Sequence, residues 1–392
     1  MARSYEVVIA GGGVMGAAVA YFLTADPAFD GRVLIVERDP SYAAAATPRS
    51  WGGLRQQFST AENVAMSLFA VDFVRRARDL LAVDGAGPDL AFRERGYLFL
   101  ASPAGRAVLE ENLALQRRLG ATVECLTPAH LAARFPWLDT DGVAAAGFGP
   151  ANEGWIDPNA LLQGLRRKAL AQGAEQAADA VVGIERAGGR LRGVVLRDAG
   201  PVGCATLVNA AGPQAGALAA LAGAALPVRP RKRTTFVFDC RTPIPEMPLT
   251  VDVSGVAVRP EGAQFIAIVS PPRAEDRDAT DLEPDYGLFE TTVWPALARR
   301  IPAFAAIKLT GAWAGHYDFN TFDQNAIIGW HPECPGLMLC NGFSGHGLQQ
   351  APAAGRAVAE LIVHGAFRSL DLAALSYERI AEGRPLSEKN VV

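Results

Sequence analysis

A chain of 392 residues with 50% apolar and 20% charged side chains has the material for two or three domains with packed interiors. Its net charge of −4 sets up no basic field, which argues against nucleic acid or an anionic membrane surface and for a small soluble ligand. No apolar run approaches the roughly 18 residues of a membrane span, and a strand pattern under way by Tyr5 leaves no stretch for a secretion signal, so the expected location is cytoplasmic.

Tyr5 to Ala10 reads as a buried strand, the glycines 11–13 follow at once, and Ala17 to Leu23 is small and apolar enough for a helix against a sheet. Val33 to Val36 then forms a second strand ending on Glu37, so strand, helix and strand fit within the length of a βαβ unit. An Ala-rich segment leads to Arg49-Ser50-Trp51-Gly52-Gly53-Leu54-Arg55, read as a ligand-facing loop. Ser59 to Glu62 has capping-box spacing ahead of a long helix carrying Val64, Leu68 and Val71.

Beyond residues 85–88 the pattern changes to short strands such as Tyr97 to Leu100 and a charged helix near 104–119. The α/β pattern returns with a helix over Ala160 to Ala171, a strand over Leu191 to Arg197 and another over Ala205 to Asn209 that runs into a turn. Between about 226 and 325, Thr234 to Phe238, Gly255 to Arg259 and Gln264 to Val269 read as strands of an inserted antiparallel sheet. The boundaries place a discontinuous α/β domain at 1–90, 150–225 and 325–392, and a second, substrate-binding domain at 91–149 and 226–324. The five cysteines have no CxxC or Cys/His spacing and read as free thiols, with no metal site expected.

In Gly11-x-Gly13-x-x-Gly16 the glycines allow a tight turn, close approach to a pyrophosphate and close packing of helix on strand. Glu37, 21 residues beyond Gly16, stands where an acid accepts bonds from ribose hydroxyls and disfavours an added phosphate. This pattern is common to NAD and FAD sites. A second glycine-rich stretch, Asn341 to Pro352, precedes a helix-compatible segment, Ala353 to Val363, and offers backbone N–H groups and a positive helix end to a carbonyl gaining negative charge.

Gly11 to Gly16 with Glu37, Trp51 to Arg55, Glu153 to Pro158, Val208 to Pro213 and Gly342 to Gly347 occur in an order that resembles the D-amino-acid oxidase superfamily, across nearly the whole chain. Within it the chain is most similar to the branch of sarcosine oxidase, dimethylglycine dehydrogenase and glycine oxidase. The stretch Ala312 to Asn325 together with Gly347 to Pro352 resembles FAD-oxidoreductase-domain proteins related to a mitochondrial complex I assembly factor.

The resemblance implies FAD in a glutathione-reductase-like Rossmann domain, roofed by a mixed or antiparallel sheet, and oxidation of the C–N bond of a secondary or N-methylated amino acid by hydride transfer to flavin N5. The resulting imine would be hydrolysed. A 2-hydroxy-acid or glycerophosphate-type dehydrogenase, and a flavoprotein with an assembly role, are the alternatives. Where monomeric sarcosine oxidases tether the flavin through cysteine this chain has Gly315, which implies non-covalent FAD; where they have a lysine after the Gly-His-Gly turn it has Gln349. The scarcity of lysine points toward a quinone or carrier protein as electron acceptor rather than fast reaction with O2.

Arg55 is assigned to a substrate carboxylate, and His316 and Tyr317 either to the amine proton or to hydrogen bonding of a carbonyl, with Gln349 beside them. The cofactor is assigned Gly11, Gly13, Val14, Met15, Gly16, Glu37, Arg38, Ser50, Gly52, Gly53, Leu54, Val181, Ala211, Gly212, Gly342, Ser344, Gly345, His346, Gly347 and Leu348. The basic run Arg231 to Arg233 reads either as a solvated strand edge or as a group reaching substrate or a partner.

Overall fold

The structure is a computed structural model that describes residues 4–272 and 274–389. The first strand, Ser4–Ala10, and its neighbour, Val33–Glu37, are apolar and buried on both faces, as strands inside a helix-covered parallel sheet must be. In order across the sheet run Ile327–Trp330, Leu337–Asn341, Gly200–Asn209, Ser4–Ala10, Val33–Glu37 and Glu175–Ala178, all pairing parallel except the outermost Ile327–Trp330. An antiparallel hairpin, Val181–Ala187 and Arg190–Leu196, branches from Gly200–Asn209.

The helix Val14–Ala25 packs on this sheet with Pro158–Ala171 and Gly347–His364. Small residues bring two of these helices together: a Cβ at Gly355 would fall 2.6 Å from the Ala18 Cβ. Two apolar cores fill the two faces of the sheet, one built around Ile9 and Val358, the other around Val8 and Leu339.

A second eight-stranded sheet forms a roof, in the order Ile307–Asn320, Val228–Cys240, Gln264–Ile268, Ala257–Glu261, Leu249–Val251, Tyr97–Ala101, Ala145–Gly149 and Glu124–Leu126. Its pairs are antiparallel apart from one. Tyr97–Ala101 runs parallel to Leu249–Val251, and that junction welds the segment near residue 100 to the segment after 226. The inserted sheet is therefore mixed rather than purely antiparallel. Its core holds Phe238, Phe265 and Phe304 in mutual ring contact, with Phe289 bridging Phe238 to Phe236.

Three local expectations change. The ligand-facing loop contains a short strand, Gly53–Leu54, paired with Gly154–Trp155. The capping box does not form: Thr60 precedes the helix Ala61–Leu80 with no cap from its own side chain. Instead the buried Glu388 carboxylate accepts from the Ser59 N–H (2.8 Å), the Asn63 Nδ2 (2.9 Å) and the Thr60 hydroxyl (3.3 Å), supplying the acid from the far end of the chain. The last long helix begins at Gly347 rather than Ala353, with Pro352 inside it.

A candidate flavin and substrate cavity

Between the parallel sheet and the roof lies a cavity of about 610 Å³. At one end the chain leaves Ser4–Ala10 and turns into the helix Val14–Ala25. A Cβ at Gly16 would stand 1.9 Å from the Gly11 carbonyl oxygen, so only glycine permits the turn. The first helical N–H, of Val14, donates to the Thr47 hydroxyl at 3.2 Å, and the helix N-terminus borders the cavity. Glu37 closes this end: its buried carboxylate accepts from the N–H of Gly12 (2.8 Å) and of Asp39 (3.0 Å), which fixes it at the strand end.

At the middle of the cavity the second glycine loop is held from the roof strand Ile307–Asn320. Asp318 accepts the Phe343 N–H on its carboxylate (3.1 Å) and the Ser344 N–H on its main-chain oxygen (3.1 Å), while the Asn320 N–H donates to the Ser344 hydroxyl (3.0 Å). Gly345 has φ of +98°, and a Cβ there would press 2.5 Å from the Tyr317 ring. His346 stands at the N-cap position of the helix Gly347–His364 without a cap bond from its side chain, and the helix N-terminus lies against Met15 of the other helix, so two positive helix ends border one cavity.

At the roof end Arg55 is 2% exposed. Its Nη1 donates to the Gln57 main-chain oxygen, its Nη2 lies 3.2 Å from His346 Nε2, and its plane sits over Phe58 at 4.0 Å. The Arg55 main-chain N–H donates to Gln349 Oε1 at 2.7 Å. Burial, and then Arg55 itself, hold His346 well below the usual imidazole range, so it is neutral and its Nε2 accepts from the guanidinium. Behind them burial pushes the Glu153 carboxyl up to about 7, although it accepts from the Gln56 N–H at 2.6 Å and the Gln57 Nε2 at 2.8 Å. Burial likewise lifts Asp318 to about 6 and lowers His316, whose buried Nε2 has no hydrogen-bond partner among the described residues.

Of the residues assigned from sequence, all line the cavity except Gly16, Gly52, Leu54, Gly342 and Ser344. Those five act from behind it. Gly16 gives the close approach described above; Gly52, at φ +72°, leaves space that the Ile156 carbonyl fills; and Leu54 is wholly buried in the core. Gly342 turns at φ +77°, and Ser344 is a fully buried clasp. The run Arg231 to Arg233 is no solvated edge: the three cations pair with Asp278, Asp281 and Asp276, and Arg233 also reaches the cavity wall.

Sequence reading missed Thr47, Arg49, Tyr97 and Asp318 on the same wall. Arg49 donates to the carbonyls of Ala43 and Ala314, tying the loop to the roof beside Gly315. Arg49 and Asp318 carried a signal, Arg49 opening the loop read as ligand-facing and Asp318 lying two residues past His316 in a stretch already singled out.

The donor set suits a dinucleotide joined to a ring that gains charge: a glycine turn with a helix end and a buried acid at one end, and a second glycine loop with its own helix end further along. Residues 6–361 match the family described as DAO, FAD dependent oxidoreductase. FAD-dependent oxidoreductase domain-containing protein 1 of Bos taurus is 44% identical over 418 residues, covering 98% of this chain and 86% of its own length. L-proline dehydrogenase from P. horikoshii superposes with a TM-score of 0.84 at 26% identity, covering 98% of this chain and all of its own. Glycine oxidase from Geobacillus kaustophilus superposes at 0.80 with 24% identity, covering 95% and 98%. The chain belongs to the DAO family of FAD-dependent oxidoreductases.

Proposed function

We propose that the protein oxidises the C–N bond of a secondary or N-methylated amino acid, removing hydride from the carbon beside the amine and leaving an imine for water to hydrolyse. Bound FAD supplies the acceptor for that hydride. The observation that carries this reading is Arg55, a cation sunk in the cavity wall and braced by Gln57, His346 and the Phe58 ring. A planar guanidinium held this way suits a substrate carboxylate, and fixing the carboxylate orients the neighbouring C–H bond. His346 is spoken for by Arg55, which leaves His316, kept neutral by burial, as the group to take the amine proton.

The activities named for the two superposed enzymes, on L-proline and on glycine, support amine chemistry over C–O oxidation. Sheet membership supports the division into an FAD domain (1–90, 150–225, 325–392) and a roof (91–149, 226–324). Among the described residues no lysine lines the cavity, which supports a dehydrogenase that passes electrons to a quinone or carrier protein. Anaerobic titration of the flavin spectrum with sarcosine, L-proline, N-methyl amino acids, a 2-hydroxy acid and glycerol phosphate tests this. Bleaching by one of the amines is expected; bleaching by a hydroxy compound alone, or by none of the panel, refutes it.

A further inference from the structure

Tyr97 stands outside every assignment made so far. It opens the roof strand Tyr97–Ala101 at the parallel junction with Leu249–Val251, and its side chain is 93% buried yet reaches the cavity. Its main-chain oxygen accepts from Gln57 Nε2 at 3.0 Å, but among the described residues its hydroxyl has no hydrogen-bond partner. A buried phenol ordinarily finds a partner for its O–H, so this one is short of one.

The ring is well fixed. It stacks on Phe99 at 5.6 Å with an interplanar angle of 17°, and its hydroxyl overhangs Gly53, where a Cβ would come within 2.7 Å of it. The guanidinium of Arg55 lies 5.2 Å from the same Phe99 ring. Gln57 joins the two residues, accepting from Arg55 on its main-chain oxygen and donating from its side chain to Tyr97. Leu249, Ala257 and Ile268 form an apolar part of the wall against the Tyr97 ring, while Arg55 and the buried Arg259 are the cations that act on its phenol. Burial pushes the phenol up to about 12, so it remains a donor at every working pH.

We propose that Tyr97 is a substrate-binding residue whose O–H donates to the carboxylate held by Arg55, in a site that takes a monocarboxylate with an apolar body lying against Leu249, Ala257 and Ile268. This rests on the amino-acid reading of the cavity and adds to it a second anchor and a selectivity: an amino acid with an apolar side group is preferred to one with a second charge.

Benzoate, a monocarboxylate with an apolar ring, is a probe that needs no turnover. Its binding to FAD-loaded protein is followed by the flavin difference spectrum in wild type, Tyr97→Phe, Gly53→Ala and Arg55→Lys, with benzyl alcohol as the uncharged control. Loss of one hydrogen bond to a charged group predicts about a tenfold or greater rise in the benzoate Kd of Tyr97→Phe, with little change for benzyl alcohol. Gly53→Ala, which displaces the hydroxyl and leaves the phenol intact, should weaken benzoate in the same direction and keeps the idea testable if Tyr97→Phe loses its flavin. Equal benzoate affinity in wild type and Tyr97→Phe, with Arg55→Lys weakened, overturns the role of Tyr97 alone. Absence of any benzoate perturbation in wild type overturns it together with the amino-acid reading.

Discussion

Glu388 closes the entrance of the helix Ala61–Leu80 from the opposite end of the chain, and replacing it by alanine should be felt in both stability and substrate binding. In Glu388→Ala the Asn63 amide keeps a partner, since its Nδ2 also donates to Asn325 Oδ1 at 2.8 Å, but the Ser59 N–H loses a carboxylate 2.8 Å away. A hydrogen bond to a charged group contributes about 1.5–3 kcal/mol, and a negative charge at a helix N-terminus about 0.5 kcal/mol. Loss of the buried methylene adds roughly 1 kcal/mol, for a total of about 3–4 kcal/mol. With an unfolding entropy of about 2.1 cal/mol/K per residue, a chain of this size unfolding as one unit would melt roughly 4–5 °C lower. Because Ser59 lies four residues past Arg55, KM for a carboxylate substrate should rise more than kcat falls. Scanning fluorimetry of the FAD-loaded protein, with Glu388→Gln as the isosteric control, measures the first effect. A Glu388→Ala protein melting within a degree of wild type would show that Glu388 is not the cap of this helix.

Acid precipitation of the holoprotein should leave a colourless pellet and a yellow supernatant, because Gly315 offers no thiol to the cofactor; colour retained in the pellet contradicts it. Gly16→Val should yield protein without flavin, since its Cβ would lie 1.9 Å from the Gly11 oxygen, and normal flavin content would refute the turn geometry. Asp318 is raised from 3.8 to about 6 by burial, so its favourable neutral form is fully present below pH 4 and lost as pH climbs through 6. Relative to Asp318→Asn, wild-type apoprotein should therefore lose about 2 kcal/mol of stability between roughly pH 4 and 7 and none beyond it. Parallel pH profiles of the two melting temperatures would rule that out.

The first βαβ unit was legible because three signals coincide within forty residues: an apolar strand, glycines at a fixed spacing and an acid closing the second strand. The glycine loop at 342–347 was legible for the same reason, whereas the start of its helix was not. Pro352 reads as a boundary, yet a proline in the second turn costs a single backbone bond, and the two glycines before it suit a helix entrance pressed on Met15. The capping box misled because its spacing is local and its real partner is Glu388. Tyr97 was hidden for a related reason: in Tyr97-Leu98-Phe99-Leu100 it passes for one more apolar strand residue, and only the placement of Gly53 and Arg55 against it reveals a polar role. Thr47 and Arg49 act through backbone groups of distant segments, which no pattern of neighbours can disclose.

The strand Leu337–Asn341 lies beside Gly200–Asn209, and the helix that follows packs on Val14–Ala25. The two ends of the polypeptide thus share one binding site, and during synthesis the glycine turn at residue 11 waits for more than three hundred residues before its counterpart emerges. A nascent chain stopped before the last parallel strand has the acid, the first helix end and the Gln57 and Phe58 contacts of Arg55, but neither the second glycine loop nor His346 and Gln349, which also hold Arg55. The cavity is therefore complete only when both glycine segments are in place, so flavin content should report assembly of the whole fold rather than of its first βαβ unit.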